Sequence, residues 1–416
     1  ARDHAQSLGA LQRMTAPILP PGYELRGASE SEILDVVRFA ESVFEMPREF
    51  FLARYRNYPG ARAEHSRIIV HDGQIVAHHR LYRHELAFAG GVVNAWAIGD
   101  VCTHPEYRRK GLGRALLADS ADYIRTHGGS LCLIRAGFHD FYCSCGWEIM
   151  PLPALRIDVS AFPIDSLADN RYVTRTFEEH SDLWPVAEIH RQFNAGRSLV
   201  RQRDSSFWAN QHLWCPQERG LDFVVAEHAG RLVAYSRLWD GRLSELCYLP
   251  GHEAAASAVL GALLRLARAR REEAICGALP NDHAIWLALQ GLPGVQLLQD
   301  RYTLLHLISL RNLFEQILDA LSARLRAVGV ALSAPLSIRC SGEEVTLVPK
   351  RGYLALADGS EPGHVLELTQ RQLLEFAVGL ASPSDSLSGQ VGRVTLAELA
   401  ALFPTGNPIY WNTDAV

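Results

Sequence analysis

At 416 residues, with 48% hydrophobic and 21% charged residues, the chain has the composition of a soluble globular protein and is too long for one core, so two to three domains are expected. A net charge of -5 argues against a nucleic-acid-binding protein as a whole, and no apolar run reaches membrane-span length, so neither nucleic acid nor a membrane is an expected partner. Eight cysteines without a C-x-x-C pair or a histidine at zinc spacing point to a reduced, cytoplasmic setting and to no metal site; Cys143 and Cys145 are the one close pair, and two ligands are too few for zinc.

The opening residues contain no signal-peptide core and no initiator methionine, which reads as a processed end with Met14 as a natural start. After Pro17, Pro20 and Pro21, residues 23–26 read as a strand and 30–44 as an amphipathic helix. Strands over 67–70 and 74–81 flank His71-Asp72-Gly73, a hairpin turn signal. A strand over 95–102 follows, Pro105 punctuates it, and a basic loop runs Arg108-Arg109-Lys110-Gly111-Leu112-Gly113. From there Leu112, Ala115, Leu116 and Tyr123 recur at helical spacing until Gly128-Gly129 stops the pattern. A strand over 131–136 leads into Phe141-Tyr142 and Gly146-Trp147.

That helix points its amino end at the basic loop. A helix start carries unpaired N–H groups and partial positive charge, so a glycine-containing loop feeding it suits a pyrophosphate, with Arg109, Lys110 and Arg114 adding cationic side chains. The plain alternative is a solvated basic turn. The order of elements is not a dinucleotide fingerprint, because no G-x-G-x-x-G follows the first strand and no acidic ribose partner sits at the expected spacing.

A strand over 155–159 is expected to close the first unit, and 162–165 to begin a linker. Strands over 222–227 and 232–238 around a turn glycine, a strand over 244–249 and a helix over 254–270 then repeat the outline of the first unit. At the place of the basic loop this copy reads Pro250-Gly251-His252-Glu253-Ala254-Ala255, with an acidic residue where phosphate would lie, so it is expected to be degenerate. Arg265, Arg268, Arg270 and Arg271 read as a solvated or interdomain helix face. The last third changes character: an amphipathic helix from Leu310 to Leu325, strands over 336–340, 344–349 and 353–357, helices over 370–379 and 396–402, and a serine-rich loop over 382–388 between them.

The spacing of Val101, Pro105, Arg109, Gly111, Arg114, Tyr142 and Gly146 resembles the acyl-CoA motif of the GNAT superfamily and, more narrowly, the enhanced intracellular survival (Eis) acetyltransferases. The resemblance implies an α/β (α+β) chain of two tandem GNAT folds followed by a sterol-carrier-protein-like α+β domain, divided at 22–160, 161–305 and 306–416. It implies acetyl-CoA as cosubstrate, held by Val101, Cys102 and Thr103, by Arg109, Lys110, Gly111, Leu112, Gly113 and Arg114, and by Gly137 and Phe138. It implies Tyr142 as general acid, a small-molecule amine such as an aminoglycoside or polyamine as acceptor, and a homo-oligomer, a hexamer. Gly113 stands where many Eis-like chains have a second leucine, and Ala415 where an acidic residue sometimes precedes the terminus.

An amine attacking a thioester must be neutral, and the leaving thiolate needs a proton. A tyrosine near the sulfur supplies it without prior ionisation, and Tyr142 is placed for that role; the alternative is a core aromatic beside Phe141 and Trp147. No Glu or His stands at an obvious base position near the loop, and Asp100 reads as paired with neighbouring backbone. The resembled family uses its terminal carboxylate, here that of Val416, with Glu41 and Glu45 as fallbacks. A lipid-binding protein working through the last third, and an acyltransferase for a protein amine, are the competing readings.

Overall fold

A computed structural model describes residues 19–215, 222–239, 241–357, 361–387 and 395–415, so Met14 and Val416 lie outside the described residues. The first third supplies β1 (Tyr23–Gly27), α1 (Ile33–Phe44), α2 (Arg48–Asn57), β2 (Ser66–His71), β3 (Gln74–Phe88), β4 (Gly91–Thr103), α3 (Leu112–Thr126), β5 (Leu131–Arg135), α4 (His139–Cys143) and β6 (Glu148–Ile149). The middle supplies β7 (Leu152–Asp158), β8 (Val173–Thr176), α5 (Glu179–Phe193), α6 (Ser205–Trp214), β9 (Phe223–His228), β10 (Arg231–Trp239), β11 (Arg242–Tyr248), α7 (Ala255–Ala269), β12 (Ala274–Ala278), α8 (Ile285–Leu289), β13 (Val295–Asp300) and β14 (Thr303–Leu307). The last part supplies α9 (Leu310–Ala327), β15 (Leu336–Cys340), β16 (Glu343–Lys350), β17 (Tyr353–Ala357), β18 (His364–Glu367), α10 (Gln370–Val378), α11 (Pro383–Leu387) and α12 (Leu396–Leu402).

Three sheets result, in the orders β1-β2-β3-β4-β5-β14-β6, β13-β7-β12-β11-β10-β9-β8 and β17-β16-β15-β18, giving an α+β architecture. The β2–β3 hairpin turns on Asp72 (φ 50°) and Gly73 (φ 75°), the two left-handed residues that a tight hairpin consistent with strand twist requires. The central part of β4, Ala95 to Gly99, is buried throughout, as a strand covered on both faces must be. The middle sheet repeats the first: β9, β10, β11, α7 and β12 follow the order of β2, β3, β4, α3 and β5.

Two strands change places between these sheets. β7 lies between β12 and β13, pairing Ile157↔Ile275 on one side and Ile157↔Val295 on the other, so the expectation that 155–159 closes the first unit is corrected. In return, β14 lies between β5 and β6, pairing Leu305↔Leu133 and Leu305↔Glu148. The serine-rich stretch is likewise not wholly loop, since α11 forms within it.

The first and third sheets share a core through α9, whose Leu313, Phe314, Ile317 and Leu321 are fully buried among Leu86, Val93, Leu131 and Leu347. Each such side chain contributes about 1.5–3 kcal/mol, so the last third is bonded firmly to the first. α3 is locked onto the first sheet by polar contacts as well: His79 Nε2 meets Ser120 Oγ at 2.5 Å, and the Arg67 guanidinium donates to both oxygens of Asp119 at 2.6 and 2.9 Å. No helix among the described residues is long and apolar enough to cross a membrane.

Candidate active site

Among the described residues β4 and β5 pair in parallel only from Ala95↔Leu131 to Ala97↔Leu133, after which β4 runs on to Thr103 with β3 as its one partner. The register with β3 then shifts between Arg80↔Gly99 and His78↔Cys102, one residue more on β4 than on β3, with Asp100 at φ 55°. This bulge and the parting of the strands leave the end of β4 with an open side. Val101 and Thr103 are half-buried there. Cys102 is buried and its thiol pushed up, by burial first and by Asp100 second, so it offers backbone rather than a thiolate. Asp100 accepts from the Tyr82 hydroxyl at 3.0 Å, a side-chain partner in place of the backbone one expected.

The loop after β4 turns through two left-handed residues, Arg109 (φ 62°) and Gly111 (φ 81°), and Gly111 caps α3. The Ala115 N–H closes the first turn on the Gly111 carbonyl at 3.0 Å, which leaves the N–H groups before it without an intrahelical acceptor. Arg109, Lys110 and Gly111 are exposed, Gly113 is half-buried and Leu112 is buried. Lys110 Nζ lies 4.6 Å from the Tyr107 ring centroid, and Arg108 Nε donates to the Thr103 carbonyl at 3.1 Å. Arg114 is engaged elsewhere, donating to the Ser144 carbonyl at 2.9 Å and hydroxyl at 3.1 Å. A Cβ on Gly113 would lie 3.2 Å from the Phe141 ring, so the start of α3 is pressed against the segment carrying Tyr142.

Tyr142 is buried, with ring centroids of Phe141 at 5.0 Å and Trp147 at 6.1 Å, so the core-aromatic role is real. Its hydroxyl, however, makes no hydrogen bond to the described residues and is not among the sealed polar atoms. Burial, with Cys145 adding to it, pushes the phenol up to about 12, so it stays protonated. The turn beyond it is held by Cys145 N–H to the Tyr142 carbonyl at 2.9 Å and by Gly146 at φ 84°. Gly137 and Phe138 precede this turn and are both exposed, Phe138 at 80%.

The tail approaches from the far end of the chain. Ile409, Tyr410 and Trp411 are buried, with Trp411 Nε1 donating to Asn194 Oδ1 at 3.0 Å and the Tyr410 hydroxyl to the Asp414 carbonyl at 2.7 Å. Arg203, fully buried, reaches Asp414 at 2.9 Å and Thr413 Oγ1 at 2.8 Å and also pairs with Glu245. Burial pushes Asp414 up, whereas for Glu245 the guanidinium groups of Arg203 and Arg237 outweigh burial and hold it low. The anchored tail brings Ala415 into the wall of a cavity of about 580 Å³ between α2, the end of β5 and the middle sheet. Neither fallback base lines it: Glu41 is held by Arg48 at 2.8 Å, and Glu45 is the exposed left-handed cap of α1.

Three contributors were not visible in the sequence. Arg54 lines this cavity from α2, a helix the sequence reading did not predict. Gln370 and His306 both contact the Gly146 carbonyl, at 2.6 and 2.7 Å. In the middle sheet Glu253 accepts the Gly251 N–H at 3.0 Å, and its own backbone N–H together with that contact holds it low, so a carboxylate takes donors ahead of α7. Arg268 of α7 donates to the Val159 and Phe162 carbonyls at 2.8 Å, in the chain that continues β7, so it ties α7 to the middle sheet's own unit.

Residues 24–150 match the family model described as Acetyltransferase (GNAT) domain. Among solved structures the chain is similar to a GCN5-related N-acetyltransferase from Kribbella flavida, with 18% identity, a TM-score of 0.64 and coverage of 95% of this chain and 98% of that one. It is similar to a probable N-acyltransferase from Enterococcus faecalis V583 at 14% identity and a TM-score of 0.71, covering 93% and 98%. It is also similar to Eis1 from Mycobacterium abscessus at 15% identity and a TM-score of 0.60, covering 95% and 100%. No curated protein matches. The open loop, the bulged β4 and the Tyr142 turn therefore all lie within the residues that match the GNAT acetyltransferase domain model, set in a chain whose overall fold those three structures share.

Proposed function

We propose that the protein is an acetyl-CoA-dependent N-acetyltransferase for amine acceptors. The observation that carries this is the exposed, left-handed Arg109–Gly111 loop feeding α3 beside the bulged end of β4, with the Tyr142 hydroxyl, which has no hydrogen-bond partner among the described residues, on the neighbouring turn. Its N–H groups and the side chains of Arg109 and Lys110 fit a diphosphate. The thioester supplies an activated acyl carbon. Backbone N–H groups at 101–103 would hold the acyl oxygen, Gly137 and Phe138 would flank the pantetheine arm, and Tyr142 would give its proton to sulfur as the C–S bond breaks. The Val416 carboxylate would take the proton from nitrogen as the N–C bond forms; what supports it is the anchored tail and the place of Ala415 in the cavity wall.

The test is thiol release on incubation with acetyl-CoA and a panel of polyamines, aminoglycosides, amino acids and peptides. No release with any acceptor, together with no acetyl-CoA binding by calorimetry, rejects the reading. We also propose a homo-oligomer, supported by exposed Leu287, Leu297 and Leu298 around the edge strand β13. A monomeric mass by light scattering at micromolar concentration rejects that.

A further inference from the structure

Arg54 is a buried cation without a counter-ion. It is 6% exposed, its Nε and Nη1 have no hydrogen-bond partner, and no ion pair to it forms among the described residues. The Phe50 ring covers its guanidinium face at 3.7 Å, which supports a planar cation but does not neutralise it. A buried charge left unpaired is costly, and a bound anion would remove that cost. Asp300, the one carboxylate in the cavity wall among the described residues, accepts from Arg135 at 3.0 Å and from the Tyr302 N–H at 2.8 Å.

The cavity that Arg54 lines is cationic overall, with Arg54, Arg135 and Arg242 against Asp300, and Ala415 closes it from the tail. It adjoins the acyl-transfer site on two sides. Tyr302 accepts the Ala136 N–H at 2.9 Å beside the end of β5, and Arg54 is near enough to Tyr82, the partner of Asp100 in the bulge, to oppose the effect of burial on that phenol.

We propose that the acceptor is an amine that also carries an anionic group, seated against Arg54 while its nitrogen faces the end of β4. This rests on the acetyltransferase reading and narrows it away from polycations, which the arginines would repel. A carboxylate and a phosphate monoester share the needed chemistry, and the assay separates them.

The experiment measures thiol release from acetyl-CoA with β-alanine, β-alaninamide, phosphoethanolamine and putrescine. The expected result is a preference for β-alanine or phosphoethanolamine over the amide of roughly 10- to 100-fold in kcat/KM, the range of one charge-assisted hydrogen-bonded contact, and little turnover of putrescine. Arg54→Gln removes that preference while acetyl-CoA affinity by calorimetry stays unchanged, and Arg54→Lys restores part of it. Equal use of acid and amide, a preference for putrescine, or an equal loss on all acceptors in Arg54→Gln overturns the proposal and leaves the acetyltransferase reading standing. If the variants do not fold, the wild-type ratio of acid to amide decides alone. If acetyl-CoA binds but none of the four is acetylated, failure of both β-alanine and phosphoethanolamine to bind the coenzyme A-loaded protein overturns it, whereas absence of acetyl-CoA binding overturns the underlying reading.

Discussion

The Gln370 side-chain amide donates to the Gly146 carbonyl at 2.6 Å, tying the first residue of α10 to the turn that carries Tyr142. The same Gln370 accepts the Leu307 N–H at 3.0 Å through Oε1, and His306 meets the same Gly146 carbonyl at 2.7 Å, so β14 and α10 clamp the turn together. Gln370→Ala is expected to lower kcat several-fold with little change in acetyl-CoA affinity, since the clamp orients Tyr142 rather than the phosphate loop. Steady-state kinetics beside calorimetry check it; a change in affinity alone would place the clamp's effect elsewhere.

Tyr142→Phe is expected to lower turnover by roughly 10² to 10⁴ with coenzyme A affinity nearly unchanged, because a proton donor acts in the transition state. Burial holds the phenol at about 12, so it stays protonated below that pH, and the wild-type rate is not expected to fall between pH 7 and 10 through loss of this proton. Turnover within about twofold of wild type would leave Tyr142 a core aromatic.

Coenzyme A is expected to bind once per chain. Glu253 already occupies the donors ahead of α7. Gly111→Glu is expected to abolish binding, because Gly111 sits at φ 81°, where a side chain is strained, and the new carboxylate would repel phosphate. Calorimetry showing two sites, or normal binding by the variant, would contradict this.

Acid is expected to weaken the fold through buried histidines before most carboxylates titrate. Burial holds His65 and His78 down to about 4 and His283 to about 3, and puts His79, His84 and His190 well below the usual value. Above pH 6.5 both folded and unfolded chains carry these rings neutral and the stability is fully present. Between 6.5 and about 4 the unfolded chain takes up protons that the folded one refuses, so stability falls as pH falls, by at most about 1.4 kcal/mol per pH unit for each histidine. Denaturant midpoints at pH 7, 6 and 5 should drop in order, and a flat profile would show that the rings are accommodated as cations.

Arg203→Met is expected to cost about 3–5 kcal/mol, because it leaves buried Glu245 with only the longer 3.7 Å ion pair to Arg237 among the described residues and unties Asp414 from the middle sheet. Activity should fall with the tail released. Adding one glycine after Val416 leaves the Arg203 lock intact and moves the terminal carboxylate by about 3.3–3.6 Å, so full activity in that variant would exclude the terminus as base.

What the sequence determined by itself is mostly local. The basic glycine loop, the helix that starts at Leu112, the Asp72-Gly73 hairpin and the repeat in the middle third follow from periodicity and turn chemistry, which neighbouring residues dictate, and each appears where those patterns put it. The acidic occupant Glu253 was legible too, because one side chain at one position changes the sign of a helix start. The tertiary structure alone decided which sheet each strand joins. Leu152–Asp158 and Thr303–Leu307 carry the same short apolar strand signal whichever neighbours they take, and their exchange between sheets depends on pairings some 120 to 170 residues away in sequence. The same holds for Arg54, unremarkable in an aromatic helix until packing buries it without an anion, and for Gln370, a polar first residue of a helix until β14 brings Gly146 beneath it. Burial and partnership are properties of the whole packed chain, and no window of residues contains them.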